Sequence, residues 1–142
     1  MKPKKRNSDI VLLIVTVLLL GVLSGCDFKS YPVIDAEKVE TIMVEEYPAP
    51  WQMDSEQMQT FVELYNASKY AGIGNGEDTT PVFDIEVHFA DGTVLYLVEF
   101  QSAGRDFKLL QEDESGIKEL GYINNPELLD YLIRDLSIGH EK

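Results

Sequence analysis

The chain has 142 residues, with 12 lysines and arginines against 25 aspartates and glutamates, a formal net charge of −13. A chain this acidic does not bind nucleic acid through its phosphates, and an anionic lipid leaflet repels it. Its single cysteine excludes an intrachain disulfide and any zinc site built from cysteines.

The first element is a targeting segment. Lys2, Lys4, Lys5 and Arg6 precede an apolar run from Ile10 to Leu20 that only Thr16 interrupts. A positive start before such a run reads as a secretory signal. Counted to Leu23 the run is 14 residues, short of the ~20 that a membrane-spanning helix needs. Leu23-Ser24-Gly25-Cys26 follows. Small residues let the backbone enter a peptidase, and a cysteine just after the cut offers a thiol for acylation. These four residues resemble the lipobox of type II signal peptides, so the chain looks like a bacterial lipoprotein precursor. The resemblance implies cleavage after Gly25 and a diacylglycerol thioether on Cys26 with palmitate-type acyl chains. It places the protein outside the cytoplasm, at the cell surface or facing the periplasm. Two acyl chains are enough for stable anchoring. Asp27 resembles the inner-membrane retention signal of two-membrane bacteria and has no such meaning in one-membrane bacteria.

The expected organisation is therefore a signal peptide at 1–25, a lipidated tether at 26–32 and a single domain at 33–142. The mature chain has 117 residues, with 24 acidic against 8 basic, a net charge of −16. That length supports one core without disulfide or metal. The seven-residue tether reaches at most ~25 Å.

Within the domain, Val33 to Tyr47 holds a strand in which Val39, Thr41, Met43 and Glu45 alternate with Ile42 and Val44. Pro48 and Pro50 end it, because proline cannot donate to a ladder. Tyr47 and Trp51 flank these prolines and pack a chain reversal onto the core. Asp54 is the N-cap of a helix, with Met53 and Met58 as its hydrophobic staple. Met58, Phe61, Val62 and Tyr65 give it one apolar face, and it ends between Asn66 and Ser68. Tyr70 to Pro81 is a loop containing Gly72, Gly74 and Gly76. It has no Lys-Ser/Thr ending for phosphate binding. Asn75, Glu77 and Asp78 lack the spacing of a calcium loop.

Phe83, Ile85, Val87 and Phe89 then alternate with Asp84, Glu86 and His88, and Asp91-Gly92 signals a two-residue type I′ hairpin. That turn pairs Phe89 with Val94, Val87 with Tyr96, Ile85 with Val98 and Phe83 with Phe100. A three-residue loop would set Phe83 against Glu99, so the tighter turn is the expectation. Strands at Arg105–Gln111 and Ile117–Ile123 follow. Asn125-Pro126-Glu127 opens a last helix with cap, N1 proline and acidic first turn. Leu128, Leu129, Leu132, Ile133 and Leu136 form its stripe, and Gly139 ends it.

The predicted fold is α+β: an antiparallel sheet with element order β-α-β-β-β-β-α and helices packed on one face. Element order and the Phe89-Ala90-Asp91-Gly92 turn make it similar in outline to cystatin-like folds. The mature chain also looks like small, uncharacterised lipoproteins of Gram-positive type.

In the expected register Asp84 lies opposite Glu99, Glu86 opposite Leu97 and His88 opposite Leu95. Asp84, Glu86, His88 and Glu99 are the candidate ligands for a divalent cation, since carboxylates with imidazole suit Mn²⁺ or Zn²⁺. Leucines exposed among these acids would instead make a partner surface. Catalysis finds little support. The histidines are His88 and His140, no Gly-x-Ser-x-Gly elbow exists, and Cys26 is committed to lipid. The expectation is a monomeric, non-catalytic, cofactor-free binding domain of the cell envelope, held to the membrane through Cys26. Its partner would be another envelope protein or a basic ligand, with no nucleic acid. The alternatives are a small metal-binding protein or enzyme using the Asp84/Glu86/His88/Glu99 face, or a purely structural or stress-related envelope protein.

Overall fold

Seven strands form one antiparallel sheet, in the order Trp51–Gln52, Val39–Glu45, Asp84–Phe89, Val94–Ser102, Arg105–Asp113, Gly116–Asn124 and Lys69–Tyr70. The computed structural model describes residues 30–46, 48–74, 81–102 and 104–139. The expected signal, Cys26, Tyr47, residues 75–80 and His140 lie outside the described residues. Among the described residues no helix is long and apolar enough to cross a membrane.

A 3₁₀ turn at Ala36–Lys38 leads into β1 (Val39–Glu45). Two-residue β2 (Trp51–Gln52) pairs with Met43 and Val44 of β1. Helix α1 (Ser55–Asn66) starts at Asp54 as expected. The Asp54 carboxylate accepts from Gln57 N at 2.9 Å, and the Gln57 side chain accepts from Asp54 N at 2.9 Å. This reciprocal box satisfies two of the helix's orphan donors. Two-residue β3 (Lys69–Tyr70) pairs with the end of β7. The long strands are β4 (Asp84–Phe89), β5 (Val94–Ser102), β6 (Arg105–Asp113) and β7 (Gly116–Asn124). Helix α2 (Pro126–Asp130) continues into a π-helical turn, Tyr131–Asp135.

The α+β, antiparallel reading holds, but the element order is corrected to β-β-α-β-β-β-β-β-α. The two added strands are two residues long and have no periodicity to read. Neighbouring strands create them. The last helix also stops short of Gly139, and Ile138 N donates to Leu132 O at 3.0 Å to bury Ile138.

The core forms where both helices meet the sheet. Phe61, Val62 and Tyr65 from α1 and Leu128 and Leu132 from the last helix cluster with Ile42, Val44, Ile85, Val87, Leu97 and Leu109. Asn125, buried, ties three elements together. Its Oδ1 caps Leu128 N at 3.0 Å, and its Nδ2 donates to Leu64 O at 2.6 Å, at the C-terminal end of α1. Asp106 Oδ2 on β6 accepts from Asn125 N at 2.6 Å.

Two residues expected in the tether belong to the domain. Tyr31 is buried in the core, and its hydroxyl donates to Ser68 O at 2.6 Å. Pro32 O accepts from Tyr65 OH at 2.8 Å. Asn66 then bonds both Ile34 N and Ile34 O at 2.8 Å. This stem lies on the helical side of the sheet, fastened to the end of α1. A lone aromatic between Ser30 and Pro32 carries no local signal of such docking.

The β4–β5 turn also departs from expectation. Gly92 N donates to Phe89 O at 3.0 Å, Phe89 N donates to Thr93 O at 2.9 Å, and Gly92 has φ +86°. Among the described residues Ser137 is the sole non-glycine at positive φ, so Asp91 is not left-handed and the turn is not type I′. It is a three-residue loop with one left-handed glycine after a type I turn. The Asp91 carboxylate accepts from Thr93 N at 2.9 Å and supports it.

One residue of slip follows. Ile85 pairs with Leu97, Val87 with Leu95 and Asp84 with Val98. A slip by one exchanges the faces of a strand. Leu95 and Leu97 go into the core, where each is worth ~2 kcal/mol. Tyr96 and Val98 come out.

Candidate functional site: the outer face of the sheet

The outer face is a grid set by register. One row runs Glu45–Asp84–Val98–Lys108–Tyr122 across β1, β4, β5, β6 and β7. The next runs Met43–Glu86–Tyr96–Leu110–Glu119, and the third Thr41–His88–Val94–Glu112–Ile117. Strands ~4.8 Å apart make each row about 19 Å wide. Met43, Val94, Tyr96, Val98 and Leu110 are half-buried here, Tyr122 is buried against Phe100, and Ile42, Val44, Leu95, Leu97 and Leu109 on the other face are buried.

The four candidate ligands divide between the faces. Asp84, Glu86 and His88 share the outer face as expected. Glu99 does not: it sits on the core side, opposite Phe83, and is 5% exposed. Its carboxylate accepts from Val82 N at 2.7 Å, holding the chain that leads into β4. The like-charge neighbour across the ladder from Asp84 is instead Glu45 of β1. Sequence reasoning missed Glu45 because nothing local fixes how β1 meets β4. Among the described residues no three His, Cys, Asp or Glu side chains are grouped to hold a metal ion. The four candidate ligands therefore do not share one face, since Glu99 lies on the core side.

Asp84 is the strained member. Burial pushes its carboxyl above the usual aspartate range, and the charges of Glu86, Glu45 and Glu99 push it the same way. Its Oδ1 is buried with no hydrogen-bond partner. Glu86 meets His88, with Oε2 2.9 Å from Nε2. At the other side of the face, Tyr96 donates to Glu112 Oε2 at 2.5 Å. That bond, followed by partial burial and the charges of Glu112 and Glu86, pushes the Tyr96 hydroxyl up to about 12. Lys108 and Glu119 pair at 3.4 Å. Glu45 and Asp84, side by side at the β1–β4 corner, have no cationic partner among the described residues.

Comparison with protein-family models, with curated proteins and with solved structures finds no match.

Two shallow hollows lie elsewhere. One of about 190 Å³ sits between the stem (Pro32–Ile34) and the β4–β5 turn. The other, of about 350 Å³, lies between α1 and the start of β1, lined by Val39, Met58 and Val62. Trp51 packs against the core as expected, and its indole N–H donates to Glu46 Oε1 at 2.8 Å. The other oxygen of Glu46 accepts from Gly139 N at 2.9 Å, so this aromatic serves the chain reversal. Chemically, the outer face offers carboxylates beside a flat aliphatic and aromatic strip.

Proposed function

We propose that the protein is a lipid-anchored extracytoplasmic lipoprotein whose domain is non-catalytic and binds an envelope partner through the open face of its sheet. The lipobox-like Leu23–Cys26 motif supports the anchor. One observation carries the binding role. Both helices and the stem lie on one side of the sheet, and the other side presents half-buried Met43, Tyr96 and Val98 among carboxylates. A contiguous apolar patch rimmed by polar groups is a typical interaction surface. The stem adds orientation. With Tyr31 docked, only residues 26–30 lie between anchor and domain, a span of at most ~18 Å. The tether then meets the domain at Tyr31, on the helical side of the sheet.

Mass spectrometry of the mature protein tests the anchor. The expected product starts at a diacylglycerol-modified Cys26, and Cys26→Ala leaves an unprocessed precursor. An intact Met1 or an unmodified Cys26 in wild type rules the anchor out. For binding, a photo-crosslinking residue at Val98 should trap a partner in intact cells, while one at Glu63 on α1 should not.

A further inference from the structure

We infer that the open sheet face docks a basic polypeptide segment, with lysine or arginine meeting the Glu45–Asp84–Glu86 corner and apolar side chains covering Tyr96 and Val98. The inference rests on the binding role proposed above and names its partner's chemistry.

Three observations converge. The first is the arrangement of charge. Glu45 and Asp84 are cross-strand partners, and Glu86 follows Asp84 on the same face. Among the described residues no lysine or arginine pairs with any of the three, although Glu86 meets His88, while Lys108 pairs with Glu119. Like charges directly opposite destabilise a sheet, so a cation delivered to this corner relieves repulsion already present. The second is the buried, partnerless Oδ1 of Asp84. A carboxylate with one oxygen buried and undonated is poorly solvated, and an ammonium or guanidinium at its exposed side offsets that charge. The rise of the Asp84 carboxyl has the same origin. The third is adjacency: Glu86 lies directly between Met43 and Tyr96 in its row, and Asp84 lies beside Val98. Apolar and acidic contacts are interleaved at one-strand spacing, which suits a segment mixing basic and apolar side chains.

Charge also decides against the other occupants. The mature chain carries −16. It repels phosphodiesters and anionic headgroups, and a second copy would set acid against acid. A bare metal ion lacks a convergent ligand set among the described residues.

The test uses the full mature lipoprotein in detergent micelles at physiological salt. Three labelled peptides of equal length are titrated by fluorescence anisotropy: alternating Lys and Val, alternating Glu and Val, and lysine alone. The Lys–Val peptide should bind best. The D84N/E86Q double variant should weaken it roughly ten-fold or more, as loss of close interfacial charge pairs does. Tyr96→Ala should weaken it too. E56Q/E63Q removes the same charge from α1, on the far side of the sheet, and should leave binding unchanged.

Equal binding to D84N/E86Q and to wild type overturns the inference. So does equal weakening by E56Q/E63Q, which would assign the effect to net charge alone. A Tyr96-dependent dimer in sedimentation would give the face to a second copy. A neutral, acidic or lipid species crosslinked at Val98 in cells overturns the basic partner and keeps the binding role. No crosslink there, with peptide binding insensitive to the face variants, removes both.

Discussion

The two faces of the sheet are written in the same strands by alternate residues, yet they follow different rules. On the inner face Ile42, Val44, Ile85, Val87, Leu97 and Leu109 are all fully buried, and one face of α1 matches them. On the outer face Glu45, Asp84, Glu86, Tyr96 and Val98 mix charge with apolar area, and burial is partial. The inner face is dictated by what stabilises the domain. The outer face tolerates a buried, unpartnered carboxylate oxygen and a carboxylate pair set side by side. Such departures from local stability are where function is most often found.

The contrast is broken most directly by a matched pair of truncations. Leu97→Ala, on the inner face, should destabilise by ~2–5 kcal/mol, the range for deleting a buried leucine. Val98→Ala, one residue along and facing outward, should cost less than about 1 kcal/mol, as for partly exposed sites. Urea unfolding of both variants measures this. A larger loss for Val98→Ala would mean that the strand faces are reversed.

The turn that assigns the faces gives the next effect. Gly92 is left-handed, with φ +86°. A β-branched residue is strained there, so Gly92→Val should destabilise by roughly 1–3 kcal/mol. Asp91 is outside the left-handed region, so Asp91→Asn should be nearly neutral. A Gly92→Val protein as stable as wild type in the same urea assay would show that another turn sets the register.

The smallest effect sharpens the outer face. The Asp84 carboxyl is raised on folding. The native state therefore holds this proton more tightly than the unfolded chain. Its contribution falls as pH rises from the ordinary aspartate value through the raised native one. Asp84→Asn should stabilise the domain at neutral pH by less than about 1 kcal/mol, since solvent screens a half-exposed group. The advantage over wild type should shrink as pH falls into the carboxylate range. Urea midpoints of the two proteins at pH 4 and pH 7 report the difference, and a gap that widens in acid would contradict the assigned direction.

Local chemistry in the sequence determined the elements. Asp54 and Gln57 mark the start of α1, Asn125-Pro126 marks the start of α2, and strict alternation marks Phe83–Phe89 as a strand with a charged face. The α+β class follows from these. The candidate site was half legible on the same grounds: period two places Asp84, Glu86 and His88 together whatever lies across from them. Partnership was decided only in three dimensions. Cross-strand matching favoured the tight turn, because the looser one sets Phe83 against Glu99. Burial of Leu95 and Leu97 against the helices selected the looser turn and sent Glu99 to the core. Glu45 reached Asp84 through a β1–β4 pairing that spans about forty residues of chain. Tyr31 became core because the turn after α1 offers Ser68 O to its hydroxyl. Each of these outcomes depends on surfaces far apart in the chain, where period and capping have no reach.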